Sequence, residues 1–169
     1  DYVKIGNLNI GGCNLKTHAN HISTNNPEYT YYTNSTGTWT STESYHPHDA
    51  FESEDWDYIT MQQVSHLSGM MNTYDDYLQT IVSVVKEHCP DAELVWHMTW
   101  AYQSNAVNSV FGLYRNDQMM MYDAIKDAVQ TTVMPTGYFT KLIPCGTAIQ
   151  NLRTSFVGDN LTRDGYHLS

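Results

Sequence analysis

Basic residues are scarce in this sequence: Lys and Arg together number 8 against 18 Asp and Glu, a formal net charge of −10. Phosphate backbones and anionic headgroups are held by clustered Lys and Arg, so this balance argues against nucleic acid and against a membrane surface, and points to a neutral or cationic ligand. Cysteine is scarce as well. Cys13, Cys89 and Cys145 are odd in number and widely spaced, which gives neither a zinc pattern nor a paired disulfide framework. Cys89 stands before Pro90 at an expected helix end and Cys145 after an expected strand, so free buried thiols are the reading, with a bridge between one pair left open. No apolar run approaches membrane-spanning length, and signal peptide, internal repeat and low-complexity linker are all missing. The chain opens on Asp1 rather than Met, from which upstream processing or truncation is expected.

What remains is one domain of 169 residues, long enough to bury roughly two thirds of its unfolded surface without a covalent staple. Charged residues are only 15% of it, while Tyr, Trp, Asn, Thr and Ser are plentiful. That composition supplies stacking and hydrogen-bonding groups suited to a sugar, and it is also common in secreted proteins, so a secreted or periplasmic location is expected.

Along the chain, Tyr2 to Ile10 alternates apolar and polar residues and runs into Gly11-Gly12, a strand followed by a tight turn. His18 to Ser44 is polar and aromatic, either an extended loop or a small β-excursion. A short helix end over Ala50 to Glu54 leads to a second strand, Trp56 to Met61, closed by Gln62-Gln63. Tyr74, Tyr77, Leu78, Ile81, Val84 and Val85 recur at helical spacing up to Cys89-Pro90. Glu93 to Met98 is a third strand, Met121 to Val129 marks a second helix, Lys141 to Pro144 a fourth strand, and Gly146 to Ser155 a last short helix. This alternation predicts an α/β fold with a parallel sheet, whose ligand site lies at the carboxyl ends of the strands.

The residues with chemistry fall at those ends. Asp164-Gly165-Tyr166-His167 places an acid three residues before a histidine on a Gly-containing turn, so a carboxylate can orient an imidazole acting as general base. Gly11-Gly12, Gln62-Gln63 and His97-Met98-Thr99-Trp100 follow the other strands. Alone, Asp-x-x-His also fits a capped turn with a surface histidine.

Taken in order, Ile10-Gly11-Gly12-Cys13, Trp56-Asp57-Tyr58-Ile59 with Gln62-Gln63 and Ser65, His97 to Tyr102, Pro144 to Gln150 and Leu161 to Leu168 resemble the SGNH, or GDSL-like, hydrolases, and within them a bacterial branch of uncharacterised domains. The resemblance covers nearly the whole chain. It implies a flavodoxin-like three-layer α/β/α fold with a mostly parallel sheet, and ester hydrolysis through a Ser-His-Asp triad without cofactor or metal. Carried over, His167 is the base, Asp164 its orienting acid, and Gly12, or else Gly11, a backbone donor to the oxyanion. Where the family has an Asn donor, this chain has Gln62 and Gln63. Neighbours on a strand point to opposite faces, so only one can serve, and Gln63 is favoured as the nearer to the strand's carboxyl end. The family's Gly-Asp-Ser or Gly-Asn-Ser is missing, so the first strand, central in the order 2-1-3-4-5, and the nucleophile are expected to come from outside these residues.

The resulting expectation is a serine esterase removing an acyl group, plausibly acetyl, from a carbohydrate, with Trp100 and Tyr102 as a substrate wall. The alternative is a non-catalytic glycan binder on the same fold using Trp39, Trp100 and the tyrosine cluster. A metal hydrolase built on His46, His48 and His167 ranks third, because His46-Pro47-His48 lacks a third ligand at fixed spacing. Ser65 and Ser68 lie near a strand end but in no nucleophile elbow. His97 is read as a buried, satisfied histidine or as a pocket lining, and Met119 to Met121 as core filler.

Overall fold

The computed structural model describes residues 3–169. Tyr2, where the first expected strand was set to begin, lies outside them. The chain falls into two compact units, one made of residues 1–58 and 75–92, the other of 59–74 and 93–169.

In the first unit, strands β1 (Ile5–Asn9), β2 (Tyr29–Asn34) and β3 (Trp39–Tyr45) form an antiparallel sheet in that order. The β2–β3 hairpin turns where Gly37 donates its N–H to Asn34 Oδ1 at 2.8 Å. Alternation along β2 buries Tyr29 and Tyr31 and turns Tyr32 outward, as a two-residue period requires. Helix α1 (Leu15–Ser23) starts where Asn14 Oδ1 accepts the Thr17 N–H at 2.9 Å. Its buried residues Leu15, Ala19 and Ile22 are spaced as one helical face, which packs on helix α3 (Asp75–His88). The α3 face of Leu78, Ile81, Val82 and Val85 is buried in return. Lys86 Nζ closes the C-terminal end of α3 by donating to the Pro90 and Ala92 carbonyls at 3.0 and 2.6 Å. Helix α2 (Pro47–Glu52) completes this unit, and Cys89 Sγ points at the Phe51 carbonyl.

The first expected strand therefore pairs antiparallel with β2, not within a parallel sheet. The region read as loop or β-excursion holds both a helix and a hairpin. Its tyrosines gain more from burial on a sheet face than solvated loop residues would.

The second unit carries a parallel three-stranded sheet, β4 (Tyr58–Met61), β5 (Glu93–His97) and β6 (Lys141–Ile143), of which Tyr58 alone is counted with the first unit. In the β5–β6 ladder Val95, Trp96 and His97 face Lys141, Leu142 and Ile143. Trp96 is 1% exposed and sits between the rings of Tyr74 and Phe139. Helix α4 (Gln118–Ala128) begins at an Asp117 cap on the Met120 N–H and buries Met121, Ile125 and Ala128. Of the three consecutive methionines only Met121 is core, while Met119 and Met120 are exposed. Helix α5 (Cys145–Arg153) follows β6 directly. The fold is α/β, with strand and helix alternating along the chain from β4 to α5 as expected.

Candidate active site

The segment that follows β5 is hydrogen-bonded through Trp100 and Gln103 to the loop that carries the candidate dyad. Leu161 to Ser169 folds back on itself: Thr162 and Leu168 form an antiparallel bridge, the Arg163 N–H donates to the His167 carbonyl at 2.9 Å, and the Ser169 N–H to the Leu161 carbonyl at 3.1 Å. At its tip Asp164 Oδ1 accepts the N–H groups of Tyr166 and His167 at 3.2 and 2.8 Å. Its other oxygen, Oδ2, accepts from His167 Nδ1 at 2.6 Å. The carboxylate thus fixes the backbone of the turn and the imidazole of the same turn together. Nδ1 is occupied as a donor, and Nε2 has no partner among the described residues. The imidazole is about half exposed. Desolvation pushes the Asp164 carboxyl up, but the His167 backbone and side-chain hydrogen bonds and the Tyr166 N–H outweigh it and hold it down at about 2.

This turn needs Gly165. Its φ is +95°, and a Cβ there would stand 2.8 Å from Ala106 Cβ. The close approach lets the Gln103 N–H donate to the Gly165 carbonyl at 2.7 Å, while Thr162 Oγ1 donates to Gln103 Oε1 at 2.6 Å. Trp100 Nε1 holds the next carbonyl, that of Tyr166, at 2.7 Å.

The 100–104 segment is held from below by a buried polar network. Arg153, on α5, donates through Nη2 to the Ala101 carbonyl at 2.8 Å and pairs through Nε with Asp159 Oδ1 at 2.8 Å. Asp159 Oδ2 accepts the Ser104 N–H at 2.8 Å and Gln118 Nε2 at 3.0 Å. Burial raises the Asp159 carboxyl, but these hydrogen bonds and the guanidinium outweigh it and keep it below the usual carboxylate range. None of Arg153, Asp159 or Gln118 stood out in the sequence. An Arg on the last turn of a helix is an ordinary exposed residue until the fold closes over it.

The other candidates separate clearly. Gln63 is 1% exposed, its amide nitrogen donates to the carbonyl and hydroxyl of Thr73 at 3.2 and 3.1 Å, and its Oε1 accepts the Val64 N–H at 2.9 Å. The favoured glutamine is therefore the one whose amide is spent on the fold. Gln62, just past the end of β4, is exposed instead, and its Oε1 meets His97 Nδ1. Burial lowers the His97 imidazole below its ordinary value. Its ring lies edge-on to that of Trp100, with centroids 6.3 Å apart.

Tyr102, expected as a sugar wall, is 2% exposed. It packs edge-on to Phe111 and against Tyr166, and its hydroxyl bonds to Ser65 Oγ at 3.1 Å, so it offers no face for stacking. Trp100 is half-buried, and its indole N–H is engaged with the dyad loop. Ser68 is buried, with Oγ on the Ser65 carbonyl at 2.6 Å.

In the first unit, Gly11 and Gly12 form an exposed turn at the end of β1, with Gly12 at φ +67°. His46 Nδ1 and His48 Nε2 are bonded to the Asn25 and Ile22 carbonyls at 2.7 and 2.8 Å. Those nitrogens serve α1 and its following turn, and no cluster of three metal-ligating side chains occurs among the described residues. All three cysteines are free thiols, Cys89 the buried one.

A family model described as "Domain of unknown function (DUF4886)" matches residues 2–169. The chain belongs to the DUF4886 family. A crystal structure of a DUF4886 family protein from Bacteroides uniformis is 44% identical, with a TM-score of 0.94 over 99% of this chain. The chain spans 65% of the length of that DUF4886 protein. No curated protein matches it.

Proposed function

We propose that this DUF4886 chain carries the acid and base of a serine esterase of SGNH type, acting on an acyl ester, in the first instance an acetyl group on a carbohydrate. The observation that carries the reading is the pair Asp164 Oδ2 and His167 Nδ1 at 2.6 Å, on a half-exposed imidazole whose turn is tied through the Tyr166 carbonyl to Trp100, three residues past β5. In a triad, the carboxylate fixes the tautomer with a proton on Nδ1, which leaves Nε2 basic and facing the nucleophile. A serine hydroxyl placed at Nε2 loses its proton as it attacks the ester carbonyl. The imidazolium returns that proton to the leaving alcohol, and water then repeats the sequence on the acyl-enzyme. No serine of the described residues lies in a nucleophile elbow, so the attacking serine belongs to a segment outside them, as in the SGNH arrangement.

Gln62, rather than Gln63, is the amide donor of this reading. The test uses the intact natural protein. A fluorophosphonate probe should label one serine, p-nitrophenyl acetate should be hydrolysed without added metal and undiminished by chelator, and His167→Ala should lower kcat by about 10⁴-fold or more. Turnover that survives His167→Ala, or that chelator abolishes, would sink the proposal.

A further inference from the structure

Gln62 is a long exposed side chain, and fixing such a chain costs rotamer freedom. A donor that must be in place before charge develops has to be held by something. The residue that touches it is His97, at the carboxyl end of the neighbouring strand β5. We propose that His97 is a positioning residue whose Nδ1–H grips Gln62 Oε1 and so turns the Gln62 Nε2 hydrogens outward as the oxyanion donor. The inference rests on the esterase reading above.

The physical argument is one of tautomers. A neutral imidazole either donates or accepts at Nδ1, and the facing amide must answer with its opposite end. With the proton on Nδ1, Gln62 presents its oxygen to the ring and its NH₂ to the site. With the proton on Nε2, the amide reverses and presents a carbonyl oxygen, which would repel an oxyanion. His97 therefore decides whether Gln62 is a donor or an obstacle. The burial that keeps the imidazole neutral makes this choice real at neutral pH, and the edge-on Trp100 ring packs against the imidazole at 6.3 Å. Trp100 in turn holds the Tyr166 carbonyl, and the Tyr166 ring lies 4.3 Å from that of His167. One run of contacts thus joins the donor to the base.

The experiment measures p-nitrophenyl acetate hydrolysis by the intact protein and its variants, with thermal midpoints alongside. His97→Ala should lower kcat by about 10–100-fold with KM within about twofold, since the contact matters only when charge appears. His97→Asn, whose amide N–H stands close to where Nδ1–H stood, should recover most of the rate, and His97→Gln should not. Combined with Gln62→Ala, His97→Ala should add nothing, because the two act as one unit. Imidazole ¹⁵N spectra should show the Nδ1–H tautomer. Equal losses in the Asn and Gln variants with a lowered thermal midpoint would mean a structural histidine and overturn the proposal, as would the Nε2–H tautomer. Native kcat in His97→Ala beside a crippled Gln62→Ala would overturn it while leaving the esterase reading standing. An intact protein that hydrolyses no ester and labels no serine would remove the reading and the donor role together.

Discussion

The indole of Trp100 donates to the carbonyl of Tyr166 at 2.7 Å, one residue before His167. That bond ties the half-buried segment after β5 to the turn that carries the dyad. Trp100→Phe keeps most of the ring and removes the bond. It should cost about 1–2 kcal/mol of stability in urea unfolding and lower the kcat of the proposed esterase activity about tenfold, because the imidazole loses its fixed station. An unchanged kcat would mean that Gln103 and Thr162 hold the turn without it.

Gly165→Ala should be the more damaging loop change. The residue would have to hold φ +95° with a methyl group 2.8 Å from Ala106 Cβ. Strain of about 1–3 kcal/mol and displacement of the turn should lower kcat/KM by roughly 10²-fold or more. Circular dichroism should show the rest of the chain still folded.

Arg153 is 3% exposed along its side chain, donates to Ala101 and Gln150, and pairs in charge with Asp159. Arg153→Ala should destabilise the chain by about 2–3 kcal/mol in urea, since it leaves a half-buried carboxylate without its guanidinium and the Ala101 carbonyl without its donor. The double change Arg153→Met with Asp159→Leu should recover part of that loss, which neither single change would do.

Asp164 should titrate near 2 by carbon NMR. Its folded value lies below the ordinary carboxylate value of about 3.9, so its contribution to the turn is complete above that pH and is lost as pH falls toward the folded value. In His167→Ala the midpoint should move up toward about 3.9. A midpoint that stays near 2 would assign the depression to the backbone donors alone.

In the first unit His18 is pushed down to about 4, by burial first and by neighbouring His21 second, with its Nδ1 on the Tyr29 hydroxyl at 2.9 Å. The fold prefers the neutral ring, so stability is full above the unfolded value of about 6.5 and falls as pH drops from there toward about 4. The thermal midpoint should decline across that window, and His18→Gln, which keeps a hydrogen-bonding group, should flatten the decline.

Helix α3 was legible because Leu78, Ile81 and Val85 recur on one face and Pro90 ends the pattern. Helix α1 was not, although Asn14, Leu15, Ala19 and Ile22 already spell a cap and a stripe. Its remaining positions are one Lys and five of Thr, His, Asn and Ser, polar residues mostly of weak helix preference, which lower the periodic signal without weakening the buried face. The dyad was readable because both its members lie within one turn of sequence, and local spacing fixes their geometry. Which glutamine faces outward was not, since alternation says only that the two differ; the choice is made by Thr73, ten residues along, which captures the Gln63 amide. The Arg153 network was invisible for the same reason: its partners lie 3 to 52 residues away in sequence.

Because Asp164 binds the backbone and the ring of the same four-residue turn, the acid and the base form a cassette whose internal geometry owes little to the rest of the fold. The fold supplies only its address. In mild denaturant the His167–Asp164 contact should therefore outlive the proposed esterase activity, and the turn should keep its imidazole signature after the Trp100 and Gln103 moorings have let it drift. A relative could likewise carry the dyad intact on a loop moored elsewhere, with the pair preserved and its target changed.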